Sequence, residues 1–290
     1  MEAREPLPLL PLQYEPLLRR ALAEDLGLAG DLTTLSIVPA DAQARGRIVA
    51  RREGTVAGLQ VAAGVFRLLD PAVAVTIHAA EGSRAAAGAT LAEVAGPARA
   101  LLTGERVALN LLGRLCGIAT LTRGMVDAVA GTGASVVCTR KTTPGLRALE
   151  KYAVRAGGGS NHRFGLDDAV LVKDNHLAIA GGVVEAVRRV RGSVGHLVKV
   201  EVEVDTLEQL AEALACPIDA VLLDNMTPEQ LARAVAMVAA AGAGARRVIT
   251  EASGGITPAT APAIAATGVD LLSVGWLTHS APALDVALDL

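Results

Sequence analysis

Residues 198–225 read VKVEVEVDTLEQLAEALACPIDAVLLDN, and this stretch decides the fold. A short β-branched run leads into a helical segment whose start carries the capping-box pair Thr206 and Gln209. A second apolar run then ends at Asp224 and Asn225. The second run, Ala220–Leu223, is wholly apolar, and strands of that kind are covered on both faces, so the stretch predicts a parallel strand–helix–strand unit.

The same alternation continues on both sides of this stretch, from about residue 133 onward. The predicted strands are Ser135–Cys138, Ala169–Val172, Val198–Val204, Ala220–Leu223, Arg247–Thr250 and Leu271–Val274. The predicted helices are Gly181–Arg191, Thr206–Leu214, Pro228–Ala241 and Pro258–Ala266. Six such strands favour a barrel-type α/β sheet that is open and incomplete, and a doubly wound sheet is the alternative.

The first part of the chain mixes helix and strand without a steady period. Tyr14–Leu26 and Ala100–Val129 have the apolar spacing of helices. Gly46–Val56 and Val73–His78 have the composition of strands, with turn residues between them. This part is therefore expected to form a separate region before the βα units.

The composition of the 290 residues excludes several classes of protein. The net charge is −3 and aromatic residues make up 2%, so we expect no nucleic-acid partner. The longest uncharged run, 252–269, contains two prolines and three glycines, so we expect no membrane span. Residues 1–11 are unlike a signal peptide, and three cysteines without a CxxC pair indicate neither disulfides nor zinc. We expect a soluble, cytoplasmic protein.

Polar and charged side chains stand where the predicted strands end. Because the C-terminal ends of parallel strands share one mouth, we expect these side chains to lie close together. They are Thr139, Arg140, Lys141, Lys173, Glu203 and Asp224. A single charge of this kind is usually a solvated loop residue. Lys173 and Asp224, however, directly follow apolar runs that would bury them, so both need partners of opposite charge.

Lysine is rare in this chain, which makes its positions informative. Of 27 basic residues only four are lysines, and all lie within residues 141–199. Lys141 and Lys173 stand at strand ends. Lys151 is expected on a helix surface and Lys199 within a strand, and the roles of these two stay open.

Two glycine-rich stretches indicate anion binding. Residues 253–255 (Ser-Gly-Gly) and Gly275 follow the last two strands, where barrels commonly hold phosphate with backbone N–H groups. Three glycines at 157–159 precede His162 and Arg163, and we expect His162 to be exposed. Such a cationic mouth suits a small substrate with several negative charges.

Two carboxylates face this cationic mouth. Glu203 is preferred over Glu201 because it lies nearer the end of its strand. Glu203 and Asp224 could hold Mg²⁺ or stabilise a cationic transition state.

A series of ordered motifs resembles the quinolinate phosphoribosyltransferase family. The motifs are Glu24-Asp25-Leu26-Gly27, Gly30-Asp31-Leu32-Thr33-Thr34, Glu105-Arg106-Val107-Ala108-Leu109-Asn110, Gly117-Ile118-Ala119-Thr120, Thr139-Arg140-Lys141-Thr142-Thr143-Pro144-Gly145, Asn161-His162-Arg163, Val172-Lys173-Asp174-Asn175-His176, Leu222-Leu223-Asp224-Asn225 and Glu251-Ala252-Ser253-Gly254-Gly255-Ile256. Together they run from about residue 15 to the end in the family's order. This ordered match is far more specific than any single motif.

The resemblance implies a reaction and an architecture. Quinolinate and phosphoribosyl pyrophosphate would give nicotinate mononucleotide, pyrophosphate and CO₂, with Mg²⁺, in de novo NAD biosynthesis. Residues 1–117, joined by 277–290, would form an N-terminal α/β sandwich-like domain, and 118–276 would form the open, incomplete barrel. The implied assembly is a homodimer, with a higher oligomer left open.

The resemblance also implies roles for individual residues. Arg106 would reach quinolinate from the neighbouring subunit. Quinolinate and the pyrophosphate donor would be bound by Thr139, Arg140, Lys141, His162, Arg163 and Lys173. Glu203 and Asp224 would face the ribose and its metal, and would share the catalytic role with Lys141 and Lys173. The 5′-phosphate would be held by Ser253, Gly254, Gly255 and Gly275.

Two other functions remain as alternatives at this point. One is a phosphoribosyltransferase-like relative that acts on another substrate, such as the homologous proteins associated with molybdenum transport. The intact set of basic residues, such as Arg140 and Arg163, argues against it. The other is a non-catalytic barrel that binds a phosphorylated metabolite. A pure anion binder would gain nothing from Glu203 and Asp224, so these carboxylates favour an enzyme.

Overall fold

The structure is a computed structural model that describes residues 7–242 and 247–290. Residues 1–6, which begin the segment compared with a signal peptide, lie outside the described residues. Within the described ranges, no helix combines the length and apolar composition that a membrane crossing requires.

The chain divides into two compact units. The first unit comprises Met1–Arg123, Thr142–Gly158 and Trp276–Leu290, and the second comprises Gly124–Lys141 and Gly159–Gly275. The predicted domain boundary lies at 117/118. The first unit extends beyond it to Arg123 and also contains residues 142–158.

The elements are numbered in chain order. The helices are α1 Pro11–Leu26, α2 Leu32–Ile37, α3 Leu59–Leu69, α4 Ala98–Ala128, α5 Arg147–Ala156, α6 Asp174–Ala180, α7 Val183–Ser193, α8 Leu207–Leu214, α9 Pro228–Ala241, α10 Ala261–Ala265 and α11 Trp276–His279. The strands are β1 Gln43–Ala50, β2 Gly54–Thr55, β3 Ala74–Ile77, β4 Arg84–Ala85, β5 Thr90–Pro97, β6 Ser135–Val137, β7 Val170–Val172, β8 Val200–Val204, β9 Ala220–Asp224, β10 Ile249–Ser253, β11 Leu271–Ser273 and β12 Val286–Asp289.

The first unit is built on a four-stranded antiparallel sheet in the order β12-β1-β5-β3. The C-terminal strand enters this sheet by pairing with β1, with Arg47 opposite Asp289. Helices α1 and α3 contact each other in the same unit, and Phe66 of α3 is fully buried. Burial of such apolar side chains is the main force that holds the unit together.

A buried acid joins distant segments of the first unit. Glu150 of α5 is fully buried and accepts a hydrogen bond from Arg114 of α4 at 2.8 Å. The same carboxylate accepts the backbone N–H of Thr143 at 3.0 Å. The neighbouring Lys151 is 1% exposed, so its predicted place on a helix surface is wrong. The α5 helix is an internal helix, and packing around it overrides the expectation for a lone lysine.

The second unit is built on a parallel sheet in the order β6-β11-β10-β9-β8-β7. Consecutive strands from β7 to β11 are neighbours, and the first strand of the unit, β6, lies beside the last. This is the cyclic strand order of a barrel, interrupted between β6 and β7. In a doubly wound sheet the strands are also parallel, but the order in which they are added reverses near the centre of the sheet. The predicted open α/β barrel is confirmed, and the doubly wound alternative is wrong.

A short segment lies along the open edge of the barrel. Ser160 donates its N–H to Val136 O at 2.8 Å and accepts the N–H of Cys138 at 3.1 Å. Because β11 pairs with the other edge of β6, residues 159–163 stand at the interruption next to β6. This placement brings His162 into the barrel.

Strand β10 begins later than the sequence predicts. The predicted strand was Arg247–Thr250, whereas the parallel ladder starts at Ile249, opposite Ala220, and ends with Ser253 opposite Asp224. The partner strand sets these limits. Glu251 therefore lies inside a strand and not in the loop that follows it.

Helices of the second unit also differ in extent from the prediction. The segment predicted as Pro258–Ala266 forms the shorter α10, because Thr257 and Thr260 bond each other in a turn before it. Helix α6 was not predicted. It starts directly after β7, where the Lys173 N–H donates to His176 Nδ1 at 2.9 Å.

Candidate active site

A cavity of about 430 Å³ lies at the C-terminal edge of the barrel sheet. Its lining belongs wholly to the second unit. The lining residues are Thr139, Arg140, Lys141, His162, Arg163, Leu171, Lys173, Glu203, Leu222, Asp224, Glu251, Ser253 and Ser273. Nine of these were named from the sequence as site residues, so the structure brings most of that set together.

The alternation of side chains along the strands explains this lining. Successive residues of a strand point to opposite faces, so every second residue faces the interior. Leu222 and Asp224 of β9 obey this spacing, as do Glu251 and Ser253 of β10. In β8 the same spacing places Glu201 on the interior face together with Glu203.

A lysine and a glutamate form an ion pair in the cavity. Lys173 Nζ lies 2.5 Å from Glu203 Oε2, and the two side chains are 46% and 11% exposed. Lys173 directly follows β7 and Glu203 lies in the adjacent β8. The requirement of Lys173 for a partner of opposite charge is therefore met by the neighbouring strand.

The second carboxylate of the mouth is held by its own neighbour. Asn225 Nδ2 donates to Asp224 Oδ2 at 2.6 Å, and the Asn225 N–H donates to Ser253 O at 2.9 Å. Asn225 has a φ of +53°, the left-handed conformation that asparagine tolerates better than most residues. This turn fixes Asp224 at the mouth.

Two arginines lie close together in the cavity. Arg140 Nε is buried and has no hydrogen-bond partner among the described residues. Arg163 Nη1 donates to Ala169 O at 3.1 Å. Burial and, secondly, the charge of Arg140 lower the pKa of Arg163, although it remains a cation at neutral pH. Two partly buried cations, one of them with an unpaired Nε donor, provide a site for a carboxylate or phosphate.

A buried cluster of one histidine and two acids lies deeper in the barrel. His162 Nε2 is 2.9 Å from Glu201 Oε2 and 3.6 Å from Glu251 Oε2. The His162 side chain is 15% exposed, so the prediction that it is exposed is wrong. Burial, followed by the charge of Glu201, raises the pKa of Glu251 to about 7. The three ligand atoms lie within 4.8 Å of one another, a spacing that could also hold a metal ion.

The glycine turn after β10 approaches the neighbouring turn closely. Gly254 has a φ of +97°, and a Cβ there would lie 2.1 Å from Asn225 Oδ1. Gly255 also has a positive φ, +57°, but a Cβ there would meet no described atom within 4 Å. Gly275 stands at the same end of the sheet, two residues after β11. Only glycine satisfies both the backbone conformation and the space at Gly254.

Two of the basic residues discussed above lie outside the cavity, and two acids of the site were not predicted. Arg106 is exposed on α4 of the first unit and does not line the cavity. Lys199 directly precedes β8 and pairs with Asp219 at 3.0 Å, outside the cavity. Sequence reasoning missed Glu201 and Glu251, although the spacing of Glu201 and Glu203 already placed both on one face of the strand.

The fold and the site define a class of enzyme. A cationic cavity at the C-terminal edge of an open βα barrel, with two carboxylates and a glycine turn, handles small substrates that carry several negative charges.

Comparison with known proteins identifies the family. Residues 31–116 match the family described as quinolinate phosphoribosyl transferase, N-terminal domain, and residues 118–289 match its C-terminal domain. The chain belongs to the quinolinate phosphoribosyl transferase family. This is the family of the decarboxylating phosphoribosyltransferase of de novo NAD biosynthesis, so the predicted enzyme class and function are confirmed.

Individual relatives cover nearly the whole chain. A nicotinate-nucleotide pyrophosphorylase [carboxylating] from Mycobacterium leprae is 48% identical over 94% of this chain and 95% of its own length. A probable enzyme of the same name from Bacillus subtilis is 46% identical over 96% and 94%. The crystal structure of NadC from Streptococcus pyogenes superposes with a TM-score of 0.93, at 40% identity and 98% coverage of both chains.

Proposed function

We propose that the cavity binds quinolinate and phosphoribosyl pyrophosphate together and joins them into nicotinate mononucleotide, with release of pyrophosphate and CO₂. The observation that carries the proposal is the combination of five basic side chains with Glu203 and Asp224 around one cavity of about 430 Å³. The basic groups suit two multiply anionic substrates, whereas the carboxylates suit a cationic transition state.

Quinolinate would bind at the arginine end of the cavity. Arg140 and Arg163 would bind its two carboxylates, because both arginines lie in the lining and Arg140 Nε has no partner among the described residues. His162 would donate a further hydrogen bond, and Thr139 and Lys141 stand beside Arg140 at the end of β6. Planar guanidinium groups match planar carboxylates in a bidentate manner.

The phosphoribosyl donor would occupy the opposite side. Ser253, Gly254 and Gly255 would hold the 5′-phosphate with backbone N–H groups, joined by Gly275. Gly255 supports this role because the space around its Cα is open. Lys173 would contact the pyrophosphate, since its side chain is half exposed at the mouth.

The two carboxylates at the mouth fit a Mg²⁺ site of the kind in which waters and substrate phosphates supply the remaining ligands. Glu203 and Asp224 each already give one oxygen to a neighbouring side chain, so they offer a partial shell and not a complete cage. Mg²⁺ commonly keeps several waters and takes its other ligands from phosphates. We propose that these two carboxylates would hold the ion, directly or through water, and that a bound ion would supply positive charge to offset that of the pyrophosphate.

The chemistry follows from the charges that develop. As the bond from the anomeric carbon to pyrophosphate breaks, positive charge builds on the ribose, and Glu203 and Asp224 would stabilise it. The quinolinate nitrogen then forms the new bond to that carbon. Loss of CO₂ leaves its electron pair on the ring carbon beside the cationic nitrogen, and a proton replaces the carboxylate. Lys141 and Lys173 would balance the negative charge of the substrates.

We further propose a homodimer in which Arg106 acts on the partner's cavity, with a higher oligomer left open. Arg106 is exposed on α4 and lies in the family motif at 105–110, which supports this role. A cytoplasmic location is also proposed. Three cysteines that are all free thiols support it, because disulfides are rare in the cytoplasm.

The direct test is an assay with quinolinate, phosphoribosyl pyrophosphate and Mg²⁺. We expect stoichiometric CO₂ and nicotinate mononucleotide, and Lys173→Ala should lower kcat/KM about 100-fold. Lys199→Ala is the matched control, because this lysine pairs with Asp219 outside the cavity, and it should keep its activity. Equal turnover of nicotinate in place of quinolinate would contradict the proposal, and so would equal losses in the two lysine variants.

A further inference from the structure

We propose that Glu201 and Glu251 are positioning residues that hold the His162 imidazole, and with it the segment 159–163, in place for quinolinate binding. The proposal rests on the proposed function, in which His162 and Arg163 contact the substrate. Glu201 and Glu251 themselves are not proposed to touch it.

The geometry fixes one ring nitrogen between two strands. His162 Nε2 lies 2.9 Å from Glu201 on β8 and 3.6 Å from Glu251 on β10. A carboxylate oxygen can only accept, so the Nε2–H donates to Glu201 and the tautomer is set. Histidines that act on metals or substrates are commonly oriented by such a carboxylate contact.

The same contact anchors the segment that stands at the open edge of the barrel. Ser160 binds the backbone of β6, and Asn161 Oδ1 accepts a hydrogen bond from Cys138 Sγ at 3.3 Å. These bonds fix the start of the segment on one side of the interruption. His162 then fixes its middle to β8 and β10, so the position of Arg163, the next residue, depends on the imidazole contact.

The burial of the two acids shows that they have a specific role. Glu201 and Glu251 are 9% and 1% exposed in their side chains, and the Oε1 atom of each is buried without a hydrogen-bond partner among the described residues. Burying two adjacent carboxyl groups is costly, and apolar side chains would stabilise the barrel interior better. Orientation of His162 accounts for both.

A double-mutant cycle tests whether Glu201 acts through His162. Glu201→Gln should raise the KM for quinolinate about tenfold, while kcat and the KM for phosphoribosyl pyrophosphate stay within about twofold. In the His162→Ala background the same substitution should have no further effect. Glu251→Gln should raise the same KM by a smaller factor, because its contact with His162 is longer.

Two additional measurements separate positioning from general destabilisation. The ring nitrogen resonances of His162, assigned by their loss in His162→Ala, should shift in Glu201→Gln. Asp219→Asn is the matched control: Asp219 is a buried acid of the same unit that pairs with Arg191 and Lys199 outside the cavity. It should lower the thermal midpoint and leave the KM for quinolinate unchanged.

Several results would overturn the proposal. Additive effects in the cycle, equal rises in both KM values, or unchanged ring resonances in folded Glu201→Gln would each do so. A stoichiometric metal ion in the wild-type protein that is lost in Glu201→Gln would assign the cluster to metal binding instead. A wild-type protein inactive on quinolinate would refute the proposed function, and the resonances would still report whether Glu201 holds His162.

Discussion

The wild-type protein should lose stability as the pH rises from 5 to 8, because it buries the carboxyl group of Glu251. Glu251→Gln should remove most of that loss. Burial raises the pKa of Glu251 to about 7 in the folded protein, against an ordinary value of 4.5, and the charge of Glu201 adds to the effect. His162 and Ser273, the other groups that face it, act in the opposite direction and lower the pKa.

The sign follows from proton binding. Between pH 4.5 and about 7 the folded state holds a proton on Glu251 that the unfolded state has released, so stability falls as the pH rises. The stabilising contribution of the neutral acid is complete below pH 4.5 and is lost above about 7. At about 1.4 kcal/mol for each pH unit, the loss is on the order of 3 kcal/mol.

Urea unfolding of both proteins at pH 5, 6, 7 and 8, followed by circular dichroism, measures this loss. The stability difference between Glu251→Gln and wild type should grow by about 3 kcal/mol in favour of the variant across this range. Glu185→Gln is the control for pH-independent behaviour. Hydrogen bonds from Arg188 and Arg189 lower the pKa of Glu185 to about 2, so its contribution changes only below about pH 5 and its stability difference from wild type should stay constant across this range. A difference that is flat with pH, or that favours the wild type at pH 8, would refute the reasoning.

Two further predictions concern the phosphate turn and the subunit arrangement. Gly254→Ala should raise the KM for phosphoribosyl pyrophosphate about tenfold, because the new Cβ would clash with Asn225 Oδ1. Gly268→Ala is the control and should leave that KM unchanged, because Gly268 also has a positive φ but its new Cβ would lie 3.5 Å from the nearest described atom. Arg106→Ala mixed with Lys141→Ala should recover about a quarter of wild-type activity, since random exchange makes half of the dimers mixed with one intact cavity each. No recovery after confirmed subunit exchange would count against Arg106 acting in trans.

The sequence predicted the barrel well because its strands are marked by composition alone. Short β-branched runs separated by Ala-rich helices leave few alternatives, and the charged residues after them converge wherever parallel strands share an edge. Lys173 and Asp224 could be placed at the mouth for this reason. The family motifs added the substrates, which no periodicity contains.

The parts that were missed depend on partners from distant segments. The limits of β10 are set by β9, so Glu251 seemed to lie in a loop when only its own segment was considered. Burial of His162 requires Glu201 and Glu251 from two other strands. Lys151 lies inside its unit because of packing that no local pattern reveals.

The way in which the chain passes between its two units has a consequence for protein engineering. The backbone crosses from one unit to the other at 123/124, 141/142, 158/159 and 275/276. A fragment that ends near residue 117, where the two family domains meet, would lack β12 beside β1 and Glu150 beside Arg114. The complementary C-terminal fragment would contain β12 and Glu150 but would lack β1 and Arg114, which they contact. We therefore expect neither half to fold alone as it does in the whole chain, and chimaeras between relatives should exchange 1–123, 142–158 and 276–290 as one block.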